Sequence, residues 1–487
     1  MIIPIIFIYL ALVILVGSLS HRLFRGTGED YFVATRSIGP FILLMSLFGT
    51  NMTAFALLGA SGEAYHEGIG VFSLMASSSA LIIPSVFFFV GTRLWAIGKR
   101  EGYITQVQYF RARWGSDRLG LLLFVVLVGL VVPYLLIGVM AGGVTLNQVT
   151  DGQIPEWLGG LIICLVVLTY VSTSGLRATA WVNTFQTLVF MILGAVAFVV
   201  ITRKLGGLSQ GLERVMETHP ELLIRGENIK PLQLLTYTCI PLSVGMFPHM
   251  FMHWLSARRA EAFRFPLKVY PLCIAAVWVP SVLLGVLGRV DYPELTVGEA
   301  NSVLVKMIAL HSPEIVAGLL AAGVLAAVMS SLDSQFLSLG SMFTEDIVRH
   351  YGFHDRMSER AQVRAGRLFV VGLVAVIYLL SLVTDRSIFK LAVWSFTGFA
   401  SLFPVVAAAL FWKRSTKYGA YASILSVVVL WIYFFRLGWE SPGYTLGGTG
   451  VMPVAFILGV SALSMIVVSL LTKPPREAVL RKFFPTS

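Results

Sequence analysis

The sequence predicts an all-α polytopic membrane protein of about thirteen transmembrane helices: two inverted five-helix repeats, the first helix of each broken, plus flanking helices. Three observations predict it. Of 487 residues, 57% are hydrophobic and 13% charged, with mean hydropathy +0.83, a composition that excludes a water-soluble globular chain. Apolar runs of roughly 18 residues or more, the length that crosses a bilayer, recur along the whole chain. Two of these runs, five spans apart, are interrupted by residues that weaken a helix.

The runs fall approximately at 2–20, 38–62, 69–92, 119–145, 157–175, 184–202, 233–256, 267–288, 314–343, 368–384, 388–412, 418–436 and 452–472. The first has no basic segment before it and no small-residue cleavage site, so it is expected to be a retained helix. Placing alternate connections on opposite sides puts 26 of the 36 Lys and Arg on the side reached after the first span. The basic side is the cytoplasmic one, which predicts a multi-pass cell-membrane protein with its N-terminus outside and its C-terminus in the cytoplasm. The net charge of +11 then reports topology and an anionic lipid bilayer, and argues against a nucleic-acid partner. Cys164, Cys239 and Cys273 all lie inside spans, with no disulfide or metal spacing.

In chain order, the first irregular span carries Gly49-Thr50-Asn51-Met52-Thr53 in the middle of its apolar run. Glycine weakens a helix and Thr and Asn side chains compete for backbone partners, so local unwinding is expected there. The alternative is a small-residue contact face. The span 119–145 holds Tyr134, whose hydroxyl must face protein or a cavity, and then Ala141-Gly142-Gly143, read as flexible. Ser174 to Gln186 reads as a short cytoplasmic turn feeding a helix start. Arg203 to Leu232 is the one long external segment and is expected to hold a short surface helix.

The second irregular span, 233–256, contains Pro241, Gly245 and Pro248. These remove backbone donors and free carbonyls, which lipid tolerates only where protein or a water-filled cavity satisfies them. His249 and His253 lie at i and i+4, but lack the further ligands a metal site needs and are read as structural. Spans two to six and seven to eleven therefore form successive groups of five. Five is odd, so the second group runs in the opposite sense. Interrupted helices at matching positions of inverted halves point to a transporter with its site at the midplane.

Within the span 314–343, Ala326 to Gln335 is a polar fault near mid-bilayer. Ala327, Ser330 and Ser331 share one helical face and offer a carbonyl and two hydroxyl oxygens to one point, a donor set suited to a hard cation such as Na⁺. Close packing of small residues is the alternative. Asp333 lies one turn nearer the cytoplasm; it either helps release the ion inward or caps a neighbouring helix end.

The chain resembles the sodium:solute symporter family nearly end to end. The blocks that carry the resemblance are Tyr31 to Ala34 with Arg36 to Gly39, Gly49 to Thr53, Gly175 to Gln186, Phe247-Pro248-His249, the Ser330-Ser331 pair running on to Thr344-Glu345-Asp346, and Gly398 to Pro404 with Leu410 to Arg414. The resemblance implies the leucine-transporter fold, with Na⁺ taking carbonyls of Gly49, Met52 and Ala327 and hydroxyls of Ser330 and Ser331. Asn51, Thr53, Tyr134, Phe247 and Trp394 are the implied substrate-lining residues. Two departures stand out. Asn183 replaces an Asp that relatives associate with a second cation site. Ile240, Val244 and Asn51 differ from the proline-carrying relatives, which argues against proline itself.

The expected function is Na⁺-coupled import of a small organic solute, a monocarboxylate or amino acid, by alternating access. No enzyme chemistry is expected, and no cofactor beyond Na⁺ as coupling ion, with a monomer as the working unit. The rivals are a non-transporting membrane sensor of the same fold and a symporter for a sugar or other neutral solute. The whole chain is read as one transporter domain: residues 1–37 an extra helix and loop, 38–202 the first repeat, 203–232 the external loop, 233–412 the second repeat, and 413–487 two C-terminal helices and a tail.

Overall fold

The structure, a computed structural model, describes residues 2–21, 36–224, 229–352, 358–384, 386–440 and 443–484. Residues Tyr31 to Ala34 of the first family block, with Arg225 and Glu227 of the external segment, lie outside the described residues. Helices account for the regular structure, and the one β-bridge among the described residues joins Ile38 to Ala257.

Among the described residues, ten helices are long and apolar enough to cross a membrane, and twelve if each of two bent pairs counts as one span. This corrects the expected thirteen. The expected span not counted among them is 157–175, which lies in the helical backbone Glu156–Lys204; the part counted there among the described residues is the apolar helix Glu156–Val171. The bent pairs are the two spans that the sequence marks as broken. Pro40–Asn51 and Phe55–Glu67 meet at 57°, and Pro231–Gly245 and Pro248–Ser256 at 53°. In the first, Met52 leaves the helical region (φ −93°, ψ 88°) directly after the Gly49–Asn51 turn. In the second, the prolines at 241 and 248 allow only a short 3₁₀ turn, Ile240–Gly245, between two helical pieces.

The expected turn at Ser174 to Gln186 is not a separate loop. Helical backbone runs from Glu156 to Lys204 through it. The chain nevertheless doubles back there. The Tyr170 hydroxyl and the Asn183 amide, thirteen positions apart, both reach the Asp333 carboxylate, whereas a straight helix would hold them about 20 Å apart. Ala141-Gly142-Gly143 is likewise helical rather than flexible. Its glycines let the first arm of this hairpin approach, since a Cβ at Gly143 would stand 2.5 Å from the Glu156 carbonyl oxygen.

The serine-bearing helix, Glu314–Met342, is the axis of the molecule. The stretch Glu314–Arg349 has 83% of its most apolar window buried, against 28% for the first helix, Ile2–Leu19, and the last, Pro453–Leu471. The last two values are those of helices that present most of their surface to lipid. The first helix packs on both the hairpin and the axis, with Gly17 against Tyr170 and Gly318 against Ile2 and Ile5.

Residues assigned by alternation to one side meet on one face. On the basic side, the Arg36 guanidinium donates to carbonyls of Leu255, Gly98 and Tyr103. There too, Arg113 donates to the carbonyls of Ala409 and Trp412, both at 3.0 Å. Burial brings that guanidinium down to about 10. The tail helix Glu477–Phe483 docks on the same face, Lys482 pairing with Glu101 at 2.8 Å. On the opposite face the external segment forms the expected surface helix, Leu208–Thr218.

Candidate functional site at the helix break

A broken helix exposes the carbonyls of its last turn, which need partners that an intact helix would supply. The axis helix supplies one. The Ser330 hydroxyl lies 2.9 Å from the Gly49 carbonyl oxygen and 3.1 Å from that of Ala327, so three oxygens converge between two helices. Ser330 is 0% exposed. Gly49 packs closely on the hairpin's second arm: a Cβ there would fall 2.0 Å from the Thr187 hydroxyl and force that side chain to turn away. Ser331 is buried beside them, its hydroxyl turned back to the Val328 carbonyl at 3.0 Å. Met52 meets the Trp278 indole through its sulfur at 3.4 Å, and no hydrogen bond among the described residues joins its carbonyl to the serines.

Asp333 faces donors rather than cations. Tyr170 donates to it at 3.3 Å and Ser334 at 3.2 Å, while the Asn183 amide nitrogen, oriented to satisfy both of its ends, sits 2.9 and 3.0 Å from the two carboxylate oxygens. His253 reaches Ser334 at 3.3 Å. Asn183 therefore partners Asp333, and the same nitrogen lies 3.2 Å from the Ser330 carbonyl.

Beside the break stands an aromatic box. Tyr134 stacks on Phe247 with centroids 5.6 Å apart, and its hydroxyl donates to the Asn51 carbonyl at 3.3 Å and faces the Thr53 hydroxyl. The Asn51 amide donates to Tyr270 at 2.7 Å. Asn51, Thr53, Tyr134 and Phe247 are thus brought together. Trp394 is not with them: it packs on Phe435 of the helix Lys417–Glu440 and lines an outer cavity.

Sequence reasoning missed Phe396 and the position of His249. Phe396 packs edge-on against Phe55, Tyr134 and Phe247 at 5.1, 5.0 and 5.6 Å. Its signal was present as the i, i+7 pair Phe389 and Phe396, with Phe399 one turn on. His249 stacks on Phe247 at 5.0 Å, and neither ring nitrogen has a hydrogen-bond partner among the described residues. Burying such a group unpaired is costly.

A helix broken at mid-membrane, its freed carbonyl met by a serine of the axis helix and its other side lined by an aromatic box, defines an ion-coupled carrier of the inverted-repeat class. The sodium:solute symporter family model matches residues 31–426. The chain is 26% identical to an osmoregulated proline transporter of Bacillus subtilis, covering 93% of this chain and 92% of the relative. It is 26% identical to a sodium/proline symporter of Escherichia coli (98% and 94%) and 25% identical to that organism's sodium/pantothenate symporter (86% and 88%). Its fold matches that of a Na⁺-coupled sialic acid symporter with TM-score 0.80 at 17% identity, covering 98% of this chain and 99% of the other. The chain belongs to the sodium:solute symporter family. It is a membrane carrier that couples Na⁺ to a small organic solute, and not an enzyme.

Proposed function

We propose that this carrier imports a small carboxylate-bearing solute, a monocarboxylate or amino acid, with Na⁺ held at the break of its second span. The observation that carries the reading is the convergence of the Ser330 hydroxyl with the carbonyls of Gly49 and Ala327. Oxygen donors favour hard cations, and reorienting one hydroxyl hydrogen frees all three oxygens for the ion. Ser331 and the Met52 carbonyl complete the set by small rotations. Na⁺ is the coupling ion, no other cofactor is involved, and Asn183, engaged with Asp333, adds no charge for a second ion.

The solute occupies the box of Tyr134, Phe247 and Asn51–Thr53, where the unpaired His249 nitrogens offer a donor to its carboxylate. Phe396 closes the side. The protein works as a monomer in the plasma membrane with its N-terminus outside, an orientation supported by the 26 of 36 basic residues on the opposite side. The test is uptake by proteoliposomes. An inward Na⁺ gradient is expected to accumulate a labelled monocarboxylate or amino acid from a panel that includes L-lactate, L-alanine, L-proline and D-glucose. Accumulation of glucose alone, or equal uptake without Na⁺, overturns the reading.

A further inference from the structure

The helix Ile388–Ser401 has two working faces. Phe389, Phe396 and Phe399 point to the box, whereas Lys390, Trp394 and Thr397, at i, i+4 and i+7, line a separate cavity of about 420 Å³ on the face opposite the basic loops. Its other walls include Arg386, Trp439, Tyr237 and Glu63. Glu63 is answered within the wall: Lys390 stands 3.8 Å from it and Ser387 3.5 Å. Arg386 is not. Its guanidinium lies 4.7 Å over the Trp439 ring, and no carboxylate pairs with it among the described residues. A planar guanidinium fixed on an aromatic shelf keeps its N–H fork free for a planar anion.

We propose that this cavity is a receiving site for organic carboxylates. It holds the solute's anionic group on Arg386 and its apolar part against Trp394 and Trp439 before the solute reaches the box. The choice of solute rests on the carboxylate reading above; the cavity's selectivity for anions does not. The Glu63–Lys390 pair forms the floor, since Glu63 lies in the second piece of the broken second span and Lys390 in the first turn of the helix that carries Phe396.

The experiment uses the full-length protein with Cys239→Ala and Gln233→Cys, position 233 being half-buried at the cavity wall. Right-side-out membranes are labelled with anionic methanethiosulfonate ethylsulfonate or its cationic trimethylammonium counterpart, each without Na⁺. The anionic reagent is expected to react about tenfold faster than the cationic one, after correction for their intrinsic rates, as local field steering allows. Adding Arg386→Gln is expected to erase that preference, and sodium-free L-lactate to slow labelling only while Arg386 is present. Equal rates for the two reagents, or a preference that survives Arg386→Gln, overturns the proposal. Na⁺-driven uptake is measured on the same preparations. Uptake without a charge preference sinks the receiving site alone, and a charge preference without uptake sinks the transport reading alone.

Discussion

Ser330 and Gly49 are 281 positions apart in the chain and joined by a buried 2.9 Å hydrogen bond near the middle of the axis helix. Each answers a need created by the other's helix: Gly49 presents a carbonyl freed by the break, and Ser330 is a hydroxyl with no water to turn to. In the ion site proposed above, Na⁺ exchanges this proton-mediated contact for several ion–oxygen contacts.

Ser330→Ala therefore removes an oxygen and leaves the Gly49 carbonyl unpaired. The half-saturating Na⁺ concentration is expected to rise about tenfold, the equivalent of one hydrogen bond to a charged partner. Ser331→Ala is expected to raise it as well, with protein abundance kept in both. Na⁺ titration of uptake in proteoliposomes measures it, and unchanged titrations in both variants remove the serines from the ion site.

Asp333→Ala removes a carboxylate acceptor that Tyr170, Asn183 and Ser334 share. Buried donors left unanswered cost about 1–3 kcal/mol each, so a clear fall in the apparent Tm of the purified protein is expected. Asp333→Asn keeps the shape and an acceptor oxygen and is expected to lose less. A thermal shift ordered the other way argues that the carboxylate destabilises the fold and is kept for another purpose.

Tyr134→Phe keeps the stack on Phe247 and loses the contacts to Asn51 and Thr53. Half-saturation for the solute is expected to rise about fivefold, from the loss of one hydrogen bond of about 1 kcal/mol, with Na⁺ half-saturation shifting in the same direction because ion and solute binding are linked. Phe396→Ala opens the box and is expected to cost more. Uptake kinetics at several Na⁺ concentrations separate the two effects.

Gly285→Ala tests packing far from both ligands. A Cβ there would stand 2.2 Å from the Ser61 carbonyl oxygen and 2.8 Å from its Cα, contacts with backbone that cannot swing away. The helices must separate, at a cost of about 1–3 kcal/mol. Fluorescence-detected size exclusion after heating is expected to show a lower melting point, and an unchanged one means that the helices of Ser61 and Gly285 slide freely.

The breaks were legible in the sequence because they are written in backbone chemistry: Gly49 and Thr53 in one span, Pro241 and Pro248 in the other. The serine face was legible through the 3.6-residue period. The reversal at Ser174 to Gln186 was legible as a turn between two apolar runs; that helical backbone reaches into it from both sides was not. Trp394 and Phe396 show a limit at the site: both are aromatic and two positions apart, and the Phe389, Phe396, Phe399 stripe competes with an equally periodic Lys390, Trp394, Thr397 stripe, so periodicity alone does not say which faces the centre. His249 was legible as a histidine in a broken span, while its lack of partners belongs to the packed structure alone.

Positions 394 and 396 stand about 200° apart around one short helix. The outer cavity and the inner box are therefore opposite sides of a single partition, and a roll that withdraws Trp394 from one compartment carries Phe396 in the same rotational sense in the other. Room gained for a molecule on one side is tied by rigid-body geometry to the wall it meets on the other, so the two rooms cannot be redecorated independently by mutation of this helix.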